Sequence, residues 1–286
     1  MTTTTVRPQL ESAVDLVPDR GPRAASVVAF GALLARDLTV TRKNLREVVP
    51  RTLLQPLLLM FVFTYVFPKI GQGVGGRVGD ATGSFSTLLA AGVVGLVIIF
   101  QGIQSVALPM VQEFGYTREI EDRVQAPLPI DLVAVEKITS GAIISFFSAL
   151  VVFPIAAVVP ATPVNLEIDW PALITLMPLT CFMAGALGLT FGTRFEPRTV
   201  PILFGVIVIP ITFLGCIYYS WAALEPIRWL QIAVLLNPLV YVSEGFRAAL
   251  TPADHMSLWA IYGALLGFTA AFTYLGVMGF RRRVLT

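Results

Sequence analysis

The chain has 286 residues, 56% of them hydrophobic and 13% charged, with a mean hydropathy of +0.78. This composition lies outside the range of soluble globular domains and excludes a water-facing surface over most of the chain. The net charge of +2, with Arg supplying most of the positive side, leaves no nucleic-acid footprint.

A hydrocarbon core of roughly 30 Å takes about 20 apolar residues in helical form, so long charge-free runs count membrane crossings. Residues 1–25 are not such a run. They are rich in Thr and Pro, carry Arg7, Glu11, Asp15, Asp19, Arg20 and Arg23, and lack the apolar centre of a cleavable signal peptide. A disordered cytoplasmic tail is expected there, with residues 26–286 as one membrane domain. From Ser26 to Arg51, Phe30, Leu34, Leu38, Leu45 and Val49 recur at spacings of four or seven with Arg36, Arg42, Lys43 and Arg46 between them. That pattern predicts an amphipathic helix lying in the membrane interface.

The first span is read over Thr52 to Phe67, with Pro56 inside it. The following loop contains Gly71, Gly73 and Gly76, a formal dinucleotide fingerprint, but it lacks the preceding strand and following helix that hold a pyrophosphate. Span two is read over Phe85 to Val111, span three over Ile138 to Val159, span four over Pro171 to Gly192 and span five over Thr199 to Tyr219. A dense polar segment, Glu113 to Lys137, separates spans two and three, and the turn Arg194 to Arg198 separates spans four and five. Between Ser220 and Leu250 two apolar stretches, each too short to cross, flank Asn237-Pro238, which predicts a re-entrant or interfacial helical hairpin. Span six is read over Leu258 to Phe280. The expected fold is therefore an all-α membrane protein with six transmembrane helices, an amino-terminal interface helix and a re-entrant hairpin before the last span.

Lys and Arg accumulate on the cytoplasmic side. With both termini inside, 16 of the 20 basic residues fall there, and Lys69, Arg77, Arg228 and Arg247 fall outside. An even number of spans follows, which requires the hairpin to dip rather than cross. Cys181 and Cys216 lie within apolar runs and are read as small packing residues.

Two segments carry a family resemblance. Gln112-Glu113-Phe114-Gly115-Tyr116-Thr117-Arg118-Glu119-Ile120-Glu121-Asp122-Arg123, followed by Ala126-Pro127-Leu128-Pro129, resembles the cytoplasmic helix of type-2 ABC exporter permeases. Asn237-Pro238-Leu239-Val240-Tyr241 through Glu244-Gly245-Phe246-Arg247 resembles the Asn-Pro-Leu element and Arg-bearing short helix before the last span of that family. The resemblance covers about residues 26 to 283. It implies that Ser26–Arg51 is a connecting helix and that Glu113, Gly115, Arg118, Glu119, Glu121, Asp122 and Arg123 form a coupling helix docking on a separate ATPase. It also implies that Asn237, Pro238, Glu244 and Arg247 close the outer end of the pathway. For the charged segment a solvated loop of mixed charge stays open as the second reading, and reversing its surface charges is expected to leave membrane insertion intact. Glu244 and Arg247, three apart, are expected to pair locally.

No chemistry is assigned to the chain itself. A P-loop needs Gly-Lys followed by Ser or Thr, and no Gly-Lys pair occurs. The single His, His255, builds neither a metal site nor a catalytic relay alone, so no catalytic, cofactor or metal residues are expected. ATP and magnesium would belong to the partner ATPase. Charges within the spans are essentially lacking, which speaks against ion coupling and against an intramembrane enzyme. Tyr65, Tyr218, Tyr219 and Trp221 sit near span ends, either as an interfacial aromatic belt or as the lining of a path for an amphipathic substrate. The pairs Gly188 with Gly192 and Gly263 with Gly267 permit close helix approach and are read as packing within the chain rather than as a dimer face.

The leading expectation is a multi-pass permease subunit in a bacterial plasma membrane, exporting a hydrophobic or amphipathic compound such as a drug or lipid by alternating access. Export of a polysaccharide or glycolipid by the same architecture is the second reading, and a membrane-embedded enzyme or assembly factor the third. The expected partners are two ATPase subunits, a second copy or a similar permease, and membrane lipids.

Overall fold

The structure is a computed structural model that describes residues 21–70, 81–117, 120, 123, 127–160, 164, 166–195, 199, 206 and 209–285. All regular elements among them are helical: α1 (Pro22–Lys43), α2 (Leu45–Met60), α3 (Ala81–Gln112), α4 (Ile130–Val158), α5 (Trp170–Arg194), the short α6 (Ile209–Phe213) and α7 (Arg228–Ala233), α8 (Pro238–Leu250) and α9 (Leu258–Leu285). A π-helical turn, Phe61–Val66, extends α2, and another, Glu113–Thr117, extends α3. Among the described residues, five helical segments are long and apolar enough to cross a membrane: Arg23–Lys43, Phe85–Gly115, Ile130–Val158, Trp170–Arg194 and Leu258–Leu285; Thr52–Val66 is a shorter apolar helix.

The helix starts follow local chemistry. The Asp169 carboxylate accepts a hydrogen bond from the Ala172 amide at 3.3 Å, with Pro171 in the first turn of α5. The Asn237 side chain accepts from the Leu239 amide at 3.0 Å, and Pro238, which has no amide proton to lose, opens α8.

The central helix is α3, which packs on α2, α4, α5 and α8. Its Leu89, Val93, Leu96, Ile99 and Ile103 are buried. Where apolar helices meet in lipid, packing rather than water exclusion drives association, and small residues let backbones approach. A methyl group built on Gly188 would sit 2.6 Å from the Gly102 carbonyl, one on Gly185 2.5 Å from the Ile138 carbonyl, and one on Gly92 2.7 Å from the Ile217 carbonyl. None of these sites has room for a side chain.

The contacts also fix which helix ends lie together. At one end, here the Arg123 end, the Arg283 guanidinium donates to the carbonyls of Gly192 (3.1 Å) and Phe195 (2.7 Å) and covers the Phe114 ring. Ser26 on α1 donates to the Pro127 carbonyl at the same end. At the opposite, Glu244 end, the amides of Glu167 and Asp169 donate to the carbonyls of Leu250 and Ala249. The chain thus passes from the Arg123 end at Phe195 to the Glu244 end by Trp221, and α9 returns it.

Several sequence expectations need correction. Span three starts eight residues earlier than expected, because Asp131, Glu136 and Lys137 are helical residues of α4 rather than part of the polar connection. Tertiary partners for Lys137 make that extension possible, as described below. The amino-terminal helix runs from Pro22 and breaks at Asn44 instead of continuing to Arg51. Its two-sided pattern is weak, since Val27, Val28 and Val40 are exposed on the same helix as Arg36. Gly188 and Gly192 pack within the chain, as expected, but a methyl group on Gly263 or Gly267 would meet nothing within 4 Å among the described residues. Residues 1–20, the Gly-rich loop 71–80, much of the span-five segment, and Glu196, Pro197 and Arg198 lie outside the described residues.

Candidate functional site

Four charged side chains close a ring at the Arg123 end. Arg123 Nη2 lies 2.7 Å from Asp37 Oδ1 and 2.8 Å from Glu113 Oε1. Lys137 Nζ lies 2.8 Å from Asp37 Oδ2 and 2.8 Å from the same Glu113 oxygen. Each cation thus bridges both carboxylates, and the ring ties α1, the π-helical end of α3, the connecting segment and α4 into one unit. The side chains are 4–12% exposed, so water screens these pairs little. Burial alone would lower the Arg123 pKa, but the Glu113 and Asp37 carboxylates outweigh it and raise it above the usual arginine value. The guanidinium stays charged.

For Glu113 and Arg123 this placement corrects the expectation that the charges of the Glu113–Arg123 segment lie on the surface. Glu113 and Arg123 are buried, whereas Gly115 is exposed. Arg118, Glu119, Glu121 and Asp122 lie outside the described residues. Asp37, Glu136 and Lys137 were missed as functional candidates, because the partners of Lys137 lie 24 and 100 residues away and no local spacing announces them. Glu136 is fully buried on α4, and neither of its oxygens has a hydrogen-bond partner among the described residues.

A chamber of about 450 Å³ with mixed polar and apolar walls adjoins the ring. It is walled by Arg36, Asn44, Gln101, Gln104 and Ser140 besides the ring residues. The Gln101 side chain donates to Thr52 Oγ1 at 2.6 Å, linking α3 to α2.

The opposite end is organised by Glu244 and Arg247, both fully or almost fully buried on α8. They pair directly, three residues apart, as the spacing suggested. Glu244 also accepts the backbone amides of Trp221 (2.9 Å) and Met256 (2.8 Å), so the 221–256 segment begins and ends at one carboxylate. Arg247 donates to the carbonyls of Cys216 (2.9 Å) and Tyr219 (3.3 Å). Cys216 has φ 53°, a left-handed conformation that costs a non-glycine residue about 1–2 kcal/mol, and the Arg247 bond holds the turn in that conformation. Asn237 donates to the Ile211 carbonyl at 2.7 Å, fastening the break before α8 to α6.

The four aromatic candidates do not converge. Tyr65 stacks on Phe61 and holds Lys69, Tyr218 packs on Phe63 and Phe213, and Tyr219 and Trp221 join a small cluster with Leu224 and Val234. Trp221 walls an opening of about 500 Å³ beside Glu244 and His255. Among the described residues no group of His, Cys, Asp and Glu could hold a metal ion.

Comparison with known proteins agrees with this architecture. The family described as ABC-2 type transporter matches residues 28–251. The chain is similar to the inner membrane transport permease YadH of Escherichia coli K12, at 26% identity over 225 residues that cover 78% of this chain and 84% of the relative. The YadH permease of Shigella flexneri is similar to the same degree.

Proposed function

The chain belongs to the ABC-2 type transporter family, and from that premise we propose that it is the permease subunit of an exporter that moves a hydrophobic or amphipathic compound outward by alternating access. Its family implies an ATPase partner, and the chain is a multi-pass inner membrane protein. In this reading the Arg123 end and both termini face the cytoplasm, the shorter apolar helix Thr52–Val66 and the segment between Phe195 and Trp221 complete six spans, and α1 lies at the interface. The 221–256 hairpin dips into the membrane and returns. The shared carboxylate of Glu244 at its two ends supports that topology.

The observation that carries the reading is the ion-pair ring. A segment that receives force from a soluble ATPase must be fixed rigidly to the spans it moves, and Glu113 and Arg123 are tied through Asp37 and Lys137 to two separate helices. Two permease copies with two ATPase subunits form the working complex, since one bundle of this size encloses too little for a passage. ATPase activity of the complex in proteoliposomes, challenged with drugs, phospholipids and glycolipids, tests the assignment. Stimulation by apolar or amphipathic drugs or lipids is expected; stimulation by glycolipids alone would transfer the protein to the glycan-export branch.

A further inference from the structure

The chamber beside the ring borders a second cavity of about 320 Å³. The two share Thr41, Thr52 and Ile144, and the remaining wall of the second is apolar apart from Arg42 and Ser148 and includes Leu53, Ile143, Phe147 and Val151. Phe147 and Val151 are exposed on the outer face of α4, so this second cavity opens where acyl chains would lie. From Lys137 to Val151 the helix rises about 21 Å, roughly the depth of one leaflet.

We propose that the two cavities together hold one phospholipid of the surrounding leaflet, its headgroup in the chamber and an acyl chain along the groove between α2 and α4. The headgroup chemistry follows from the polar groups that wall the chamber. Arg36, Asn44, Gln104 and Ser140 line it together with the four ring residues. Donors and acceptors side by side on one wall suit a ligand that carries both an anionic oxygen and a cationic or hydroxyl donor, reached directly or through a bridging water. Three cations, Arg36, Arg123 and Lys137, and two carboxylates, Asp37 and Glu113, line the chamber, so groups of both signs meet a ligand there. A zwitterionic phosphoethanolamine headgroup fits that balance, and the Gln104 carboxamide can hydrogen-bond its phosphate. Such a lipid would brace α1 and α2 against α4 next to the ring. The site depends on membrane placement but not on which compound is exported, so its test stands apart from the transport assay.

The test titrates the delipidated full-length chain with dioleoyl phosphatidylethanolamine by native mass spectrometry. Dioleoylglycerol, which has the same chains without the phosphate, and inorganic phosphate serve as the two partial ligands. One phospholipid should bind per chain, about tenfold more tightly than dioleoylglycerol, with no displacement by inorganic phosphate. Ile143→Trp, which fills the groove from α4, should weaken binding about tenfold, and Gln104→Leu should abolish the preference over dioleoylglycerol. Leu53→Trp fills the groove from α2 and replaces Ile143→Trp if that variant does not fold. Unchanged binding in a folded groove variant, equal affinity for dioleoylglycerol, or displacement by inorganic phosphate would each overturn the proposal.

Discussion

Lys137 Nζ lies 2.8 Å from Asp37 Oδ2 although the two residues stand 100 positions apart in the chain. This pair, closed into a ring by Glu113 and Arg123, is where the amino-terminal helix, the end of the central helix and the start of α4 become one mechanical body. Removing one member of a buried pair leaves the other charge uncompensated, at about 3–5 kcal/mol. Lys137→Met is therefore expected to lower the thermal midpoint of the purified chain sharply, and Asp37→Asn to lower it by a comparable amount. In the double variant the two losses should fall short of their sum, because both singles break the same ring. Strict additivity in a double-mutant cycle would show that the ring is not a unit.

Glu136 gives the opposite expectation one residue away. Its carboxylate is buried without a hydrogen-bond partner among the described residues, so its desolvation cost is offset only by the nearby charges of Lys137 and Arg123. Glu136→Met should leave stability unchanged or raise it by about 1–3 kcal/mol. A thermal shift assay comparing Glu136→Met with Lys137→Met reads the contrast directly, and a loss of similar size in both would mean that Glu136 has an essential partner.

At the other end, Arg247 holds the left-handed turn at Cys216 and pairs with Glu244. Arg247→Met should detach residues 216–219 from α8 and cost about 3–5 kcal/mol. Increased protease cleavage or cysteine reactivity at Cys216 would register the loosened turn, and unchanged protection would argue that packing alone holds it.

The hairpin topology predicts that Glu225→Cys and Asp254→Cys react with a membrane-impermeant thiol reagent from the same, outer side, while Gly115→Cys reacts only from the cytoplasmic side. Labelling of positions 225 and 254 from opposite faces would require the 221–256 segment to cross.

Glycine contacts separate two motifs that look alike. Gly188→Leu must push into the Gly102 carbonyl and the backbone of Ile103, and should destabilise by about 1–3 kcal/mol. Gly263→Ala meets nothing among the described residues and should be neutral in the monomer. A large effect at Gly263 confined to the assembled complex would identify α9 as a contact between copies.

Much of this architecture was legible because it is written locally. Charge-free runs located α3, α5 and α9, Asn237-Pro238 marked the start of α8, and the three-residue spacing of Glu244 and Arg247 foretold their pair. What the sequence hid is nonlocal. A run of charges from Glu113 to Lys137 reads as a solvated connection until Asp37 arrives from α1 to pair with Arg123 and Lys137, which is why the charge-free run points to Ile138 rather than Ile130 as the start of α4. The same holds for glycine: Gly92 and Gly185 matter through the carbonyls of Ile217 and Ile138 opposite them, and no spacing rule on one helix reveals an opposing backbone.

In the proposed function the Glu113–Arg123 segment carries ATPase motion into the membrane bundle. Glu113 itself cannot test it cleanly, since reversal there would break the ring and the fold together. Reversing Glu121 and Asp122 jointly to Lys avoids the ring. Membrane abundance, co-purified ATPase and transport should be measured for wild type and this double variant in the same membranes. The account predicts normal abundance with loss of bound ATPase and of transport, whereas normal abundance with retained ATPase and normal transport would contradict it.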